Sequence, residues 1–214
     1  MGHIPHLVIG APWPDETLSL SVVQWRHLSK VLRMGRGDTI SYTDGLGRVG
    51  SGRLGDKTVQ RGDEHEVPRS LHLTMAVAPP SNKDRQRFLV EKLAELGVPR
   101  LLWLKTEHGK HRVSPPARVF AWVLSAVEQS RGAWLMEVSS DLVGWDDLES
   151  PIAVCHPGGS KEISLPHTVV IGPEGGFSER EIDLARTTWD LGSNVLRVET
   201  AAVVAAVRAI DMQS

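Results

Sequence analysis

Cysteine is nearly missing from this chain: Cys155 stands alone in 214 residues, so no disulfide can form within it, a usage that fits a reducing compartment. Its neighbours Ile152, Ala153 and Val154 suit a buried, inert thiol rather than a nucleophile. Long apolar runs are missing as well. The longest candidate, 201–207, is far short of the roughly 18 residues that a bilayer-spanning helix needs. The first residues carry no basic-then-apolar leader pattern. A cytoplasmic protein with no membrane partner is expected. The 9 histidines show no zinc-type ligand spacing, so no metal is expected. There is no G-x-x-x-x-G-K-[ST] phosphate loop and no G-x-G-x-x-G dinucleotide fingerprint. Internal repeats and low-complexity segments are also missing.

What is present is ordinary in bulk, with 41% hydrophobic and 23% charged residues, the balance of a soluble globular chain with a substantial core. The net charge of −2 conceals an asymmetry. Residues 1–70 are nearly balanced, 71–118 carry a surplus of lysine and arginine, and 119–214 carry a surplus of aspartate and glutamate. A basic middle and an acidic tail suit a protein that turns one face to a polyanion, although solvated helices of differing charge would look the same. A polar stretch over 61–66 and then Val67-Pro-Arg-Ser70 precede an apolar segment, which places a domain boundary there and gives domains 1–70 and 71–214.

The first domain reads as short strands and turns around one helix. Residues 37–42 alternate before Asp44-Gly45, a hairpin turn signal, and 48–54 return as the partner strand. So small a set of strands points to a β-barrel. Residues 22–36 have helical periodicity, with Trp25, Leu28, Val31 and Leu32 on the apolar face. Arg26, Lys30 and Arg33 share the opposite stripe, with Arg36 just beyond and no acid between Gln24 and Gly37. Such a stripe is as often a solvated face as an RNA-phosphate contact, and the lack of acids favours phosphate.

The second domain alternates strands and helices, the mark of an α/β fold. Strands are expected over 71–77, 101–104 and 152–155, and helices over 85–96 (closed by Gly97) and 116–129. Val169-Val170-Ile171 reads as a buried strand and runs into Gly172-Pro-Glu-Gly-Gly176, where backbone can approach a ligand closely. Ser178 and Glu181 form a capping box for a helix expected to reach about 190. Pro173 has no N–H to offer an anion and Glu174 would repel one, so the loop suits a neutral or cationic ligand. A glycine turn with a purely structural task is the plain alternative. Residues 195–198 read as a short strand or extended loop, and Thr200 as the cap of a last helix through 210. Three segments end late in turn chemistry: Cys155-His-Pro, Ile171-Gly-Pro, and Leu191-Gly192 through Val198.

Ile171-Gly-Pro-Glu-Gly-Gly-Phe-Ser-Glu-Arg-Glu181, with Leu196-Arg-Val-Glu-Thr-Ala201, closely resembles the two C-terminal signatures of the SPOUT RNA methyltransferases. The likeness is to the branch that methylates N3 of a uridine in small-subunit (16S) ribosomal RNA. Lys92-Leu-Ala-Glu-Leu-Gly-Val98, Glu128-Gln-Ser130, and His27-Leu, Val31-Leu-Arg33, Gly37-Asp38 and Asp44-Gly-x-Gly47 extend it over nearly the whole chain. The resemblance implies an N-terminal PUA-like RNA-binding barrel and a C-terminal α/β domain whose backbone forms a trefoil knot. It implies a homodimer that holds S-adenosyl-L-methionine in the three late loops and acts on ribosomal RNA. The cofactor residues would be His156, Pro157, Ile171, Gly172, Pro173, Glu174, Gly175, Gly176, Leu191, Gly192, Leu196, Val198, Thr200 and Ala201. Arg197 and Glu199 flank the third loop and are the catalytic candidates, Arg197 toward the uracil oxygens and Glu199 accepting hydrogen bonds or holding Arg197. A structural salt bridge is the alternative for that pair. Arg26, Lys30, Arg33 and Arg36 are the RNA-binding candidates. Another acceptor (a ribose 2′-hydroxyl or another base) and a non-catalytic RNA-binding relative stay open. The chain departs from the family's pattern at Thr106-Glu-His-Gly109, Arg131-Gly132 and Gly192-Ser-Asn194.

Overall fold

The computed structural model describes residues 4–185 and 187–213. The expected domain ends at 1–3 and 214, and position 186 within an expected helix, lie outside the described residues. The chain divides into two compact units, 1–69 with 127–135, and 70–126 with 136–214. The sequence placed a boundary near 70 but held no sign that 127–135 belong with the first unit.

That unit contains β1 (His6–Val8), β2 (Thr17–Ser19), α1 (Val22–Arg26) with a π-helical turn over His27–Val31, β3 (Thr39–Thr43), β4 (Arg48–Leu54) and β5 (Thr58–Glu66). The strands form a half-barrel sheet in the order β1-β3-β4-β5-β2, parallel between β1 and β3 and antiparallel elsewhere. The hairpin turn between β3 and β4 falls at Asp44, whose Oδ1 accepts from the Leu46 and Arg48 amides at 2.7 and 3.0 Å. Gly45 and Gly47 take positive φ there, as the turn signal predicts. Alternating Ile40, Tyr42, Leu54 and Val59 bury against Leu7, Trp13, Leu18 and Leu28. Residues 127–135 join through backbone and side chain: Gly47 N–H donates to Ala133, Leu135 N–H to Gly45, and Trp134 Nε1 to the Val67 carbonyl.

The helix expected over 22–36 is shorter. Ser21 caps it, but the Ser29 hydroxyl donates back to the Trp25 carbonyl at 2.7 Å and the turn opens to π geometry. The chain then leaves helical form at Arg33, φ +56°, and closes on Asp38, whose carboxylate accepts from the Gly35 amide. Trp25 and Leu28 face the core as expected, whereas Val31 and Leu32 are exposed.

The second unit holds β6 (Thr74–Val77), α2 (Lys83–Glu95), β7 (Arg100–Leu104), most of α3 (Pro116–Ser130), β8 (Glu137–Val143), β9 (Ile152–Ser160), β10 (Thr168–Ile171), α4 (Glu179–Leu184), β11 (Thr187–Trp189) and α5 (Val198–Asp211). Its six strands are all parallel, in the order β11-β9-β10-β6-β7-β8. A parallel sheet is buried on both faces, which explains the unbroken apolar run of β10. On one face Ala76, Leu102, Leu104, Val154 and Val170 cluster with Leu148, Trp145 and Phe177. On the other, α5 packs on β10 and β6, and α2 packs on α5. Ala202, Ala205, Ala206 and Ala209 are fully buried, so beyond Val198 and Glu199 in its first turn α5 buries its face through small side chains.

Three elements differ from expectation here. β9, expected over 152–155, runs on to Ser160, because β11 pairs along it as far as Trp189 with Ser160. The Ser178-capped helix stops at Leu184 rather than near 190, because Thr187-Thr188-Trp189, β-branched and aromatic, pair instead with β9. The last helix is capped at Arg197 rather than Thr200, and it begins at Val198.

Candidate functional site

The site grows from two adjacent strands. β9 and β10 run in register with Cys155 beside Ile171. The 172–176 loop leaves the sheet there, while 156–157 continue within β9, which shifts register against β11 before Ser160. Both segments meet the stretch 190–198 around a cavity of about 360 Å³. Its wall contains His156 and Pro157, then Ile171, Gly172, Pro173, Glu174, Gly175 and Gly176, then Leu191, Gly192, Leu196, Val198 and Ala201. Of the residues predicted for a cofactor, Thr200 alone lies off the wall. Cys155, Phe177, Asp190, Asn194 and Val195 also line it, and no periodicity or spacing marked them beforehand. Burial pushes the Cys155 thiol up to about 12, which leaves it a thiol, not a thiolate.

Glycine is required in this wall for two reasons. Gly176 and Gly192 have φ of +73° and +141°, and a side chain added at either would meet nothing within 4 Å. Their backbone therefore borders open space. Gly172 is different: a Cβ there would come within 2.8 Å of the Phe177 ring, which rests edge-on against Trp145 at 5.7 Å. The Gly176 amide closes the turn on the Pro173 carbonyl at 2.9 Å.

Charge in the wall itself is one-sided. Glu174 and Asp190 contribute carboxylates, and among the described residues no lysine or arginine lines the cavity. Arg85, from α2, stands behind it. Its Nε and Nη2 donate to Glu199 Oε2 at 2.9 and 2.7 Å, and its Nη1 donates to Glu174 Oε1 at 2.5 Å. Burial alone would raise the Glu199 carboxyl. The Arg85 guanidinium outweighs it and holds the group below the usual range, with Arg197 adding through space. Arg85 is itself held protonated, first by Glu199 and then by Glu174. Arg85 was not anticipated from sequence, since its partners lie 89 and 114 positions away.

Of the catalytic candidates, Glu199 is thus engaged by Arg85, not by Arg197. Arg197 is exposed at the start of α5, between wall residues Leu196 and Val198. A further arginine braces the third segment: Arg208 Nη1 and Nη2 donate to the Asp190 and Leu191 carbonyls, each at 3.0 Å. The box at Ser178 and Glu181 forms as predicted and does more than cap. Glu181, 3% exposed, also accepts the Glu107 amide at 3.0 Å and lies 3.4 Å from Trp145 Nε1.

The basic candidates Arg26, Lys30, Arg33 and Arg36 are all exposed, but the break before Arg33 means that they do not lie on one helix. In the same unit, Glu128 Oε1 accepts the Val8 amide at 3.1 Å, and burial raises its carboxyl against that bond.

A wall of this kind takes a ligand with a flat body, polar edges that backbone can satisfy, and positive rather than negative charge. Against known proteins, a model of the RNA methyltransferase domain matches residues 67–210. The ribosomal RNA small subunit methyltransferase E of Synechocystis sp. is 29% identical, covering 89% of this chain and 72% of its own length. The ribosomal RNA small subunit methyltransferase E of Neisseria gonorrhoeae, solved bound to S-adenosyl methionine, matches with a TM-score of 0.84 at 26% identity over 98% of both chains. A methyltransferase of Legionella pneumophila, solved with the bound cofactor SAM, matches with a TM-score of 0.82, also at 26% identity over 98% of both chains.

Proposed function

Because the chain belongs to the RNA methyltransferase domain family, we propose that it methylates N3 of a uridine in small-subunit (16S) ribosomal RNA, with S-adenosyl-L-methionine as donor. The observation that carries this reading is the meeting of three late segments around one cavity walled by backbone, apolar side chains and carboxylates. Those walls fit the donor: glycine backbone suits the polar edges of an adenine, and the lack of lysine and arginine suits a sulfonium cation. His156, Pro157, the 171–176 loop, Leu191, Gly192, Leu196, Val198 and Ala201 would hold it. When bound, the donor supplies an electrophilic methyl group.

This chain's own residues have three tasks. They hold the acceptor nitrogen in line with the methyl carbon, a positioning effect that provides much of the rate. They exclude water around the donor, a task for Phe177, Leu196 and Val198. They also stabilise the uracil as its N3 proton leaves. Arg197, exposed beside the wall, takes that last task in this scheme, its guanidinium charge meeting the uracil oxygens. Glu199 acts through Arg85, keeping that guanidinium on Glu174 and so fixing the second segment. Arg26, Lys30, Arg33 and Arg36 contact RNA phosphates. In the same scheme residues 1–70 form a PUA-like RNA-binding domain, residues 71–214 thread a SPOUT trefoil knot, and two copies pair as a cytoplasmic homodimer.

The test is transfer of isotope-labelled methyl from S-adenosylmethionine to small-subunit ribosomal RNA, followed by nucleoside mass mapping. Label is expected on uracil N3. Label on ribose would replace this acceptor with a 2′-hydroxyl, and an unlabelled RNA that still binds would make the protein a non-catalytic RNA binder.

A further inference from the structure

Between β7 and α3 the chain runs over 105–115 without regular structure, yet it is tied down along its length. The Glu107 amide donates to Glu181 Oε1 at 3.0 Å. The His108 ring, protonated at Nδ1, donates to the Gly176 carbonyl at 3.3 Å, and His111 Nε2 donates to the Thr106 carbonyl at 2.8 Å. Buried Gln86, 2% exposed, closes the far end: its Nε2 donates to the Arg112 carbonyl at 2.8 Å, and its Oε1 accepts the Ser114 amide and hydroxyl at 3.0 and 2.8 Å. Its Nε2 also donates to the Pro80 carbonyl at 2.7 Å, so a fully satisfied buried amide fixes the path of this loop and ties it to the 78–82 segment.

The fixed loop turns its cations outward. Lys105, Lys110 and Arg112 are exposed, and among the described residues none of the three pairs with a carboxylate. Glu107 is the one acid in the segment. The loop touches Gly176, a wall residue of the cavity, while the cavity itself presents carboxylates and no lysine or arginine. Positive charge is thus kept out of the donor cavity and gathered on a rigid rim beside it. Exposed cations that no carboxylate engages are open to a polyanion.

Resting on the proposed RNA methylation, we infer that the 105–112 loop is a phosphate clamp for the RNA strand flanking the base to be methylated, with Lys105, Lys110 and Arg112 as its contacts. The clamp is separate from the basic residues of the first unit and sets which nucleotide reaches the cavity. His108 links it to the glycine loop.

The experiment compares the full chain with a Lys105→Gln, Lys110→Gln, Arg112→Gln variant, measuring binding to a small-subunit ribosomal RNA fragment over a salt series without donor. Affinity should fall about tenfold or more, and the slope of log K against log salt should shrink by about 2, near 0.7 for each single-strand phosphate no longer neutralised. S-adenosylmethionine affinity by calorimetry should stay unchanged, because none of the three side chains ties down the wall. Unaltered RNA affinity and slope would overturn the clamp. So would weaker binding to assembled subunits with naked RNA unaffected, since the rim would then meet protein. If the triple variant does not fold, Lys110→Glu alone is measured in the same way, with weaker RNA binding and a slope smaller by about 0.7 expected. Failure of the unaltered protein to bind the donor would sink the proposed activity instead, a result that RNA binding without donor does not depend on.

Discussion

A guanidinium shared by two carboxylates is harder to replace than one paired on an open surface, and Arg85 is such a group. Its partner Glu199 is 7% exposed, so removing the guanidinium strands a carboxylate with little water. It also frees Glu174, half of whose side chain faces solvent and which would swing from the cavity wall. Arg85→Ala should therefore cost about 2–3 kcal/mol in denaturant unfolding, somewhat less than breaking a fully buried pair. It should weaken S-adenosylmethionine binding at least tenfold by calorimetry, and Arg85→Lys should restore only part of the affinity because one ammonium cannot span both carboxylates. The pH dependence has a definite sign. Because Glu199 is held below its ordinary 4.5, the pair's stabilisation is present above that value and is lost as pH falls through the depressed folded value. Arg85→Ala should accordingly show a flatter loss of stability below about pH 4.5 than the unaltered protein. Equal acid limbs, or unchanged donor affinity, would reduce Arg85 to a surface charge.

Elements were legible where one local signal dominated. The β-branched run Val169-Val170-Ile171, the turn at Asp44-Gly45 and the box at Ser178 and Glu181 are short-range features, and each forms where the residues direct. Of the three late turns, those after Ile171 and over 190–197 form as loops, whereas Cys155-His-Pro stays inside β9; most of the residues chosen from the three segments still share one cavity. What was not legible depends on distant partners. β11 exists because β9 offers an edge to Thr187-Thr188-Trp189, and the short α4 is the consequence. The helix over 22–36 breaks through the Ser29 hydroxyl and the turn at Asp38, details that apolar periodicity does not register. Arg85 and Arg208 were missed for the same reason, as ordinary helical arginines until their acceptors are seen. Glu181 shows how a local signal gains long-range work. As a capping residue it would be worth about 1 kcal/mol. Here it also holds the Glu107 amide, so Glu181→Ala should cost about 2 kcal/mol and speed hydrogen exchange at Glu107 well above that of the β10 amides. Exchange at Glu107 unchanged in that variant would show that the box is a cap and no more.

At the scale of the whole molecule, a net charge of −2 means that overall attraction cannot bring this chain to RNA. Any binding must come from local groups of cations, so it must be steep in salt, with a slope that counts the phosphates engaged. Arg26, Lys30, Arg33 and Arg36 form one such group in the first unit, and the structure leaves all of them exposed. Because the helix ends before Arg33, they follow a turning backbone rather than a straight stripe, a shape able to track a bent single strand. Replacing all of them with glutamine should reduce the slope of log K against log salt by about 3, at roughly 0.7 for each phosphate engaged, and lower affinity more at low salt than at high. Donor affinity should not change, since the cavity wall lies entirely within 155–201. A salt series that superposed on that of the unaltered protein would make these residues a solvated face, and RNA recognition would then rest on the second unit's cations alone.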